Sequence, residues 1–312
     1  MTDQTPKVSI LVVSYNTREM TLDCLESIYA NTKLPFELIV VDNASGDGSA
    51  EAIRTRFPDA VLLAETENHG FARANNMAAQ HATSDLVLLL NPDTLVLENA
   101  VDELVAFSET CPDARIWGGR TLFGDRSLNP TSCWRRMTVW GLFCRATGLT
   151  RIFPDSATFN PEAYGGWQRD EIRNVDIVTG CFLLISRSDW NALGGFDEKF
   201  HMYGEEVDLN LRATAQLGAR PAITPHATIV HYGGASDTVR PDKTVRVFKA
   251  KMELLKRHLP GWRGKLGFVL FCAGPFWRAL ILGLIRPKSD SAMTWKEVWK
   301  RRAEWRNGFE AA

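Results

Sequence analysis

Over the first hundred residues, apolar runs of strand length alternate with helix-length segments of mixed character. The runs VSILVV (8–13), ELIVV (37–41), AVLLA (60–64) and LVLLL (86–90) are almost continuously apolar and rich in β-branched residues. That is the pattern of strands buried on both faces. Helical segments fall at about 18–31, 48–57, 70–82 and 97–110. The alternation predicts a mostly parallel, Rossmann-like α/β sheet flanked by helices. Ser49 or Asp47 is suited to cap the second helix, and Pro58 helps end it. Strand character resumes in VDIVTGCFLLIS (175–186), followed by a helix over 205–217 and a last strand over 222–230. Residues 120–174 are rich in Gly, Pro, Arg and aromatics, among them Trp134, Trp140, Phe143, Phe153 and Trp167. The stretch is too long for a plain connection and is expected to be a functional excursion.

The pattern changes near residue 240. Val245, Phe248, Met252, Leu255 and Leu259 recur at helical spacing with Lys and Arg between them. The expected organisation is a sheet domain over 1–240 and a basic, amphipathic helical tail over 241–312. The net charge of −1 conceals this division: residues 243–312 hold 16 Lys+Arg and 5 Asp+Glu, a balance of +11, against −12 for the rest. A basic tail predicts an anionic surface as partner. No nucleic-acid-binding module accompanies it, which argues against nucleic acid.

Segment 268–285, FVLFCAGPFWRALILGLI, is strongly apolar but carries Pro275 and Arg278. It falls short of the ~20 residues that span a bilayer. Arg278 near its middle would cost roughly 2.5–3.5 kcal/mol on insertion scales. Lys256, Arg257, Arg263 and Lys265 on one side, with Arg286 and Lys288 on the other, argue that both ends stay on the cytoplasmic side. The expectation is an interfacial element, peripheral on the inner face of the plasma membrane, with Trp295, Trp299 and Trp305 at headgroup level. The alternative is a helical appendage packed on the sheet domain. The six Cys lie far apart without a C-x-x-C pair, as expected for reduced thiols in a cytoplasmic protein. MTDQTPK runs straight into a strand, so no secretory signal is expected.

In open parallel sheets ligands bind beyond the carboxyl ends of the strands. Three strands here run into polar clusters: Ser14-Tyr15-Asn16, Asp42 through Gly48, and Asn91-Pro92-Asp93. Asp42 is placed to accept hydrogen bonds from a base or ribose, or else serves as a turn residue. Asn68 and Gly70 open the third helix, and Arg73 in its first turn suits a diphosphate. Asp93 offers a hard oxygen ligand for Mg²⁺ or Mn²⁺; the competing reading makes Asp93 or Thr94 a helix cap. Glu205, Glu206 and Asp208 crowd a helix start. Glu205 and Asp208 share a face while Glu206 points elsewhere. A carboxylate there can act as general base, or the three acids can simply suit the helix dipole. His226 and His231 point to opposite sides of a strand, so one at most joins a metal.

Taken in order, ILVVSYN, VVDNASGDGS, NHGFARANN, LLLNPD, GCFLLISR, GGFDEKFHMYGEEVDLNLR and VHYGGAS resemble the family 2 glycosyltransferases of the GT-A fold, in particular their rhamnosyltransferase-like branch. The likeness covers about residues 8–236. It implies that Ser14, Tyr15, Asn16 and Asp42 hold a donor nucleotide, with Asn68, Arg73, Asn91 and Gly180 lining the donor pocket. It implies that Asp93 binds a divalent cation, completed by His231. Asn91 stands where many members carry the first Asp of an Asp-x-Asp. Glu206 corresponds to the catalytic base, often Asp in relatives, supported by Asp208, Arg212 and Glu205. The implied reaction is an inverting transfer from a nucleotide-sugar, best dTDP-rhamnose, to a glycan or polyprenyl-linked acceptor hydroxyl in cell-surface polysaccharide synthesis.

Two other functions share parts of this pattern. A sugar nucleotidylyltransferase calls for a Gly-rich loop with Arg and Lys after the first strand, where this chain has SYNTREM. A non-catalytic nucleotide-sugar-binding scaffold would not need Glu206 and Asp93 intact.

Overall fold

The computed structural model describes residues 5–233 and 240–309. Along the chain run β1 (Val8–Ser14), α1 (Arg18–Asn31), β2 (Phe36–Asp42), α2 (Ser49–Arg56), β3 (Val61–Ala64), α3 (Gly70–Gln80), β4 (Leu86–Leu90), β5 (Thr94–Val96) and α4 (Ala100–Thr110). There follow β6 (Ile116–Leu122), β7 (Leu128–Asn129), β8 (Cys133–Trp134), α5 (Val139–Thr147), α6 (Leu149–Ile152), β9 (Arg173–Asn174), β10 (Ile177–Val178) and β11 (Phe182–Ser186). The last elements are α7 (Arg187–Leu193), α8 (Glu205–Leu217), β12 (Ala222–His231), α9 (Arg240–His258), α10 (Gly261–Ile285), α11 (Asp290–Lys300) and α12 (Arg302–Trp305).

Contacts divide the chain into two units, Met1–Trp134 with Gln168–Ser236, and Arg135–Trp167 with Asp237–Ala312. The long excursion is therefore shared: its start completes the sheet unit, and its centre groups with the tail. The sheet order is β3-β2-β1-β4-β11-β6-β12-β5, with β7 on β6 and β9 on β12. β3, β2, β1 and β4 are parallel; β11 lies antiparallel between β4 and β6. Ser14 is level with Asp42 across β1 and β2, so their following loops leave the same edge. Val8, Ile10, Val12, Leu88 and Leu90 pack one face against α1 and α4. β3 departs from the buried-on-both-faces pattern: it is the sheet edge, and Val61 is exposed. The run 175–186 is two strands, β10 and β11, separated by Thr179-Gly180-Cys181.

In the second unit, Leu142, Val245, Met252, Leu255, Phe271, Val298 and Trp305 form their own core. Gly267 lets α10 settle on Leu142 of α5, because a Cβ there would meet the Leu142 Cδ1 at 3.2 Å. Glu162 is ion-paired to Lys251 at 2.8 Å and Arg145 at 2.7 Å. Two expectations for the tail are corrected. α10 runs 25 residues, long and apolar enough by length and composition to cross a membrane, because the helix begins at Gly261 rather than Phe268. Trp305 is fully buried, with its indole donating to Val298 O at 3.0 Å, so it is a core residue and does not sit at a membrane surface.

Candidate functional site

The loops after β1 and β2 are laced together. The Asn16 amide donates to Ser45 Oγ at 2.9 Å, the Gly46 amide donates back to Asn16 Oδ1 at 2.8 Å, and the Arg18 amide donates to Asp47 Oδ2 at 2.9 Å. Asn16 and Ala44 hold left-handed backbone (φ 53° and 64°) to turn these corners. Ser14 is buried and bonded to Thr21 at 2.8 Å, while Tyr15 is exposed beside it. Asp42 is 2% exposed. Its Oδ2 accepts from the Ser45 amide at 3.2 Å, but its Oδ1 has no partner among the described residues. A buried acceptor left open calls for a donor from outside, which suits a ligand group better than a plain turn. Asp47 supplies the cap bond of α2, accepting from the Ser49 amide at 3.1 Å, although Gly48 is the capping position.

The start of α3 is fixed against this loop. Asn68 Oδ1 accepts from the Gly70 amide at 2.9 Å, and Asn43 Oδ1 accepts from the His69 amide at 2.9 Å. Gly70 has φ 77°, and a Cβ there would fall 2.4 Å from the His201 ring; only glycine admits that approach. The Phe71 amide donates to His201 O at 3.0 Å. Arg73, one turn on, is exposed at the helix start.

Asp93 does not cap a helix. It leads into β5, and α4 begins only at Ala100 behind Asn99. β5 pairs antiparallel with β12, setting Thr94 opposite His231. This brings His231 Nε2 to 3.3 Å from Asp93 Oδ1 and 3.4 Å from Asn91 Nδ2. Burial pushes the His231 imidazole down, but Cys181 and the Asp93 carboxylate outweigh it and hold the group up at about 11. Its Nδ1 and the Asn91 Oδ1 are buried without partners among the described residues. His226 is exposed in the β12 bulge and takes no part.

These donors fit a hard divalent cation: one carboxylate, one imidazole and one open amide oxygen. Among the described residues no three His, Cys, Asp or Glu side chains gather at one point. The protein therefore offers a partial ligand set, which phosphate oxygens and water would complete.

At the start of α8, Glu205 is 5% exposed and Asp208 is 1% exposed, while Glu206 is half-buried. Burial, and then the charge of Glu206, push the Glu205 carboxyl well above its usual range. Of the two, Glu206 is the carboxylate that reaches solvent, while burial favours the neutral form of Glu205. Arg212 Nε donates to Asp208 at 2.6 Å, and its other nitrogens donate to Leu193 O and Gly195 O at 2.7 and 2.8 Å. That brace ties α8 to the glycine turn before it. Asn210, which sequence reasoning missed, donates to Val178 O at 3.0 Å and accepts from the Val178 amide at 3.1 Å. It thereby docks α8 on β10. A Cβ at Gly180 would lie 3.5 Å from the Glu206 Cβ and 3.8 Å from the Phe71 ring. The next residue, Cys181, accepts from the Asn91 amide at 3.2 Å. Gly180 thus links Glu206 and the start of α3 to the Asn91–Asp93–His231 cluster. Gly234, Ala235 and Ser236 of the VHYGGAS stretch lie outside the described residues.

Residues 9–188 match the glycosyl transferase family 2 model. The chain is 30% identical over 236 residues to the O-antigen biosynthesis protein RfbC of Myxococcus xanthus, spanning 74% of this chain but 18% of that protein. It is 27% identical over 297 residues to the N-acetylglucosaminyl-diphospho-decaprenol L-rhamnosyltransferase of Mycobacterium tuberculosis, covering 86% and 90% of the two chains. It is 26% identical over 251 residues to rhamnosyltransferase WbbL of Escherichia coli, covering 72% and 83%. The mannosyltransferase PcManGT of Pyrobaculum calidifontis, solved with GDP-Man and Mn²⁺, shares the fold at a TM-score of 0.56 and 19% identity over 95% of this chain and 86% of that one. The architecture is the expected GT-A fold.

Proposed function

The chain belongs to glycosyl transferase family 2, and we propose that it transfers rhamnose, with inversion, from dTDP-rhamnose to a hydroxyl of a glycan or polyprenyl-diphosphate-linked acceptor in bacterial cell-surface polysaccharide synthesis. The observation that carries the reading is the acid pair at α8, a buried Glu205 whose carboxyl is pushed up beside a half-buried Glu206 that abuts Gly180. Two rhamnosyltransferases among the relatives support the donor, and the name of the Mycobacterium relative supports a lipid diphosphate in the acceptor.

Glu206 takes the proton of the acceptor hydroxyl as that oxygen bonds to the anomeric carbon. The bond from that carbon to the diphosphate oxygen breaks with its electron pair, and the nucleoside diphosphate departs from the opposite face. General-base assistance of this kind is worth roughly 10²–10⁴-fold. Ser14, Tyr15, Asn16 and Asp42 hold the nucleotide, with the open Asp42 Oδ1 accepting from base or ribose. Asn68 shapes the loop, and Arg73 meets the diphosphate. Asp93, His231 and Asn91 would hold Mg²⁺ or Mn²⁺. When bound, the cation supplies charge neutralisation for the leaving diphosphate. Asp208 and Arg212 position α8. In the second unit, the exposed apolar face of α10 between basic flanks suits the inner membrane surface, where a polyprenyl acceptor resides.

The test is a panel of nucleotide-sugars with Mn²⁺, read by thermal shift and then by product analysis. dTDP-rhamnose should stabilise the protein most, and the product should carry the inverted anomer. Retained configuration, or stabilisation by another sugar nucleotide alone, would refute the corresponding part.

A further inference from the structure

The strand β6 carries a cation that none of these roles uses. Arg120 lies near the carboxyl end of β6, partly buried, and its Nε is shielded from water without a hydrogen-bond partner among the described residues. A buried donor on a charged side chain is costly to leave unmet. Guanidinium groups are the preferred partners of phosphate oxygens, since their planar fork matches the anion.

The register places this residue. Leu89 of β4 is level with Leu183 of β11, which is level with Gly118 of β6. Carried two residues toward the strand ends, that rung reaches Asn91, Cys181 and Arg120, the edge where the site is built. Side chains two apart on a strand share a face. The face of Arg120 is therefore that of Gly118, where a Cβ would meet Val178 at 2.4 Å. Val178 is the residue held by Asn210 of α8. Arg120 thus lies on the Glu206 side of the sheet. Its neighbour Thr121 is level with Ile229 of the opposite core, the face to which β5 and Cys24 of α1 belong. The nucleotide loops follow β1 and β2, on the far side of β4 from β6.

We propose that Arg120 is an acceptor-binding residue that receives a phosphate oxygen of a phosphorylated or diphosphorylated acceptor, holding its sugar hydroxyl toward Glu206. This deepens the transferase reading and rests on it. It makes the anionic linkage of the acceptor, as well as its sugar, a determinant of specificity.

The experiment uses the full chain and two acceptors with one sugar: N-acetylglucosamine diphosphate on a short polyprenyl tail, and the octyl glycoside without phosphate. Arg120→Ala should raise KM for the diphosphate acceptor by about tenfold or more. It should leave KM for the glycoside, donor affinity and acceptor-free donor hydrolysis unchanged. Arg120→Lys should recover part of the loss. Titration with a short polyprenyl diphosphate, without donor or metal, should show the same weakening in Arg120→Ala and so reads the site without turnover. Equal losses on both acceptors would mean a structural role, and weakened donor binding would assign Arg120 to the donor diphosphate. Either result overturns the proposal, as does wild-type enzyme with no preference between acceptors. A wild-type chain that neither transfers nor hydrolyses any nucleotide-sugar would overturn the transferase reading instead. The diphosphate titration would then decide Arg120 alone.

Discussion

His231 Nε2 stands 3.3 Å from Asp93 Oδ1, and the two are brought together only by the antiparallel pairing of β5 with β12. The Asp93 carboxylate helps hold a proton on the His231 ring. A divalent cation between them would take the place of that proton. Asp93→Asn and His231→Ala should therefore each raise the Mn²⁺ concentration needed for half-maximal donor binding by about tenfold or more. His226→Ala should not change it. Calorimetric titration of Mn²⁺ with the donor present would measure this, and an unchanged midpoint in His231→Ala would remove His231 from the ligand set.

The two carboxylates at the start of α8 should respond oppositely to the same isosteric change. Burial and the neighbouring Glu206 push the Glu205 carboxyl up, toward the neutral form that Gln mimics. Glu205→Gln should therefore keep activity of the same order as wild type. Glu206→Gln should lower kcat by roughly 10²–10⁴-fold with donor affinity intact. Steady-state kinetics alongside donor binding would test the pair. A silent Glu206→Gln would move the base elsewhere.

Asn210 joins α8 to β10 by accepting from and donating to the same backbone residue, Val178. Asn210→Ala strips a buried amide and carbonyl of their partners, and should cost about 1–3 kcal/mol of stability. Because α8 carries Glu206, kcat should fall with it while nucleotide binding persists. A loss of stability without loss of kcat would show that the dock does not position the base.

Much of this arrangement is legible in the sequence. The runs 8–13, 37–41 and 86–90 became β1, β2 and β4 with at most a residue added at either end, because buried parallel strands carry continuous apolar sequence. The helix over 205–217 also matched. β6 escaped notice because its centre, Gly118-Gly119-Arg120, has no β-propensity. Those glycines answer to neighbours distant in sequence: a Cβ at Gly119 would meet Ala227 O at 2.2 Å. The meeting of Asp93 with His231 was likewise invisible locally, since it depends on which strand β5 pairs with. Trp305 misled for a related reason: an aromatic among basic residues reads as interfacial until α9 and α10 enclose it.

The ion pairs of the second unit set a pH dependence. Burial pushes the Glu162 carboxyl up, but Lys251 and Arg145 outweigh it and hold it down at about 2. A carboxyl depressed below its unfolded value stabilises fully above about pH 4.5, and that stability is lost as pH falls toward 2. Glu162→Gln should lower the melting temperature at pH 7, because it leaves two partly buried cations short of a partner. It should also flatten the loss of stability between about pH 4.5 and 2. Melting curves across that range would test it, and a slope equal to wild type would assign the acid response to other carboxyls.

The exposed face of α10 should carry the contact with the membrane. Leu280, Ile281 and Leu284 are all exposed, Leu284 by 76%, so they contribute little to the core around Trp305. Basic residues flank the helix, and each adds about 1 kcal/mol near an anionic leaflet. Replacing the three by Gln should abolish flotation with anionic vesicles while leaving the melting temperature unchanged. Binding by the wild-type chain should weaken on neutral vesicles and in high salt, as a screened electrostatic contribution requires. Deleting the tail would not serve, because Trp305 and Val298 belong to the core of the second unit. If the triple variant still floats, α10 does not meet the membrane through this face.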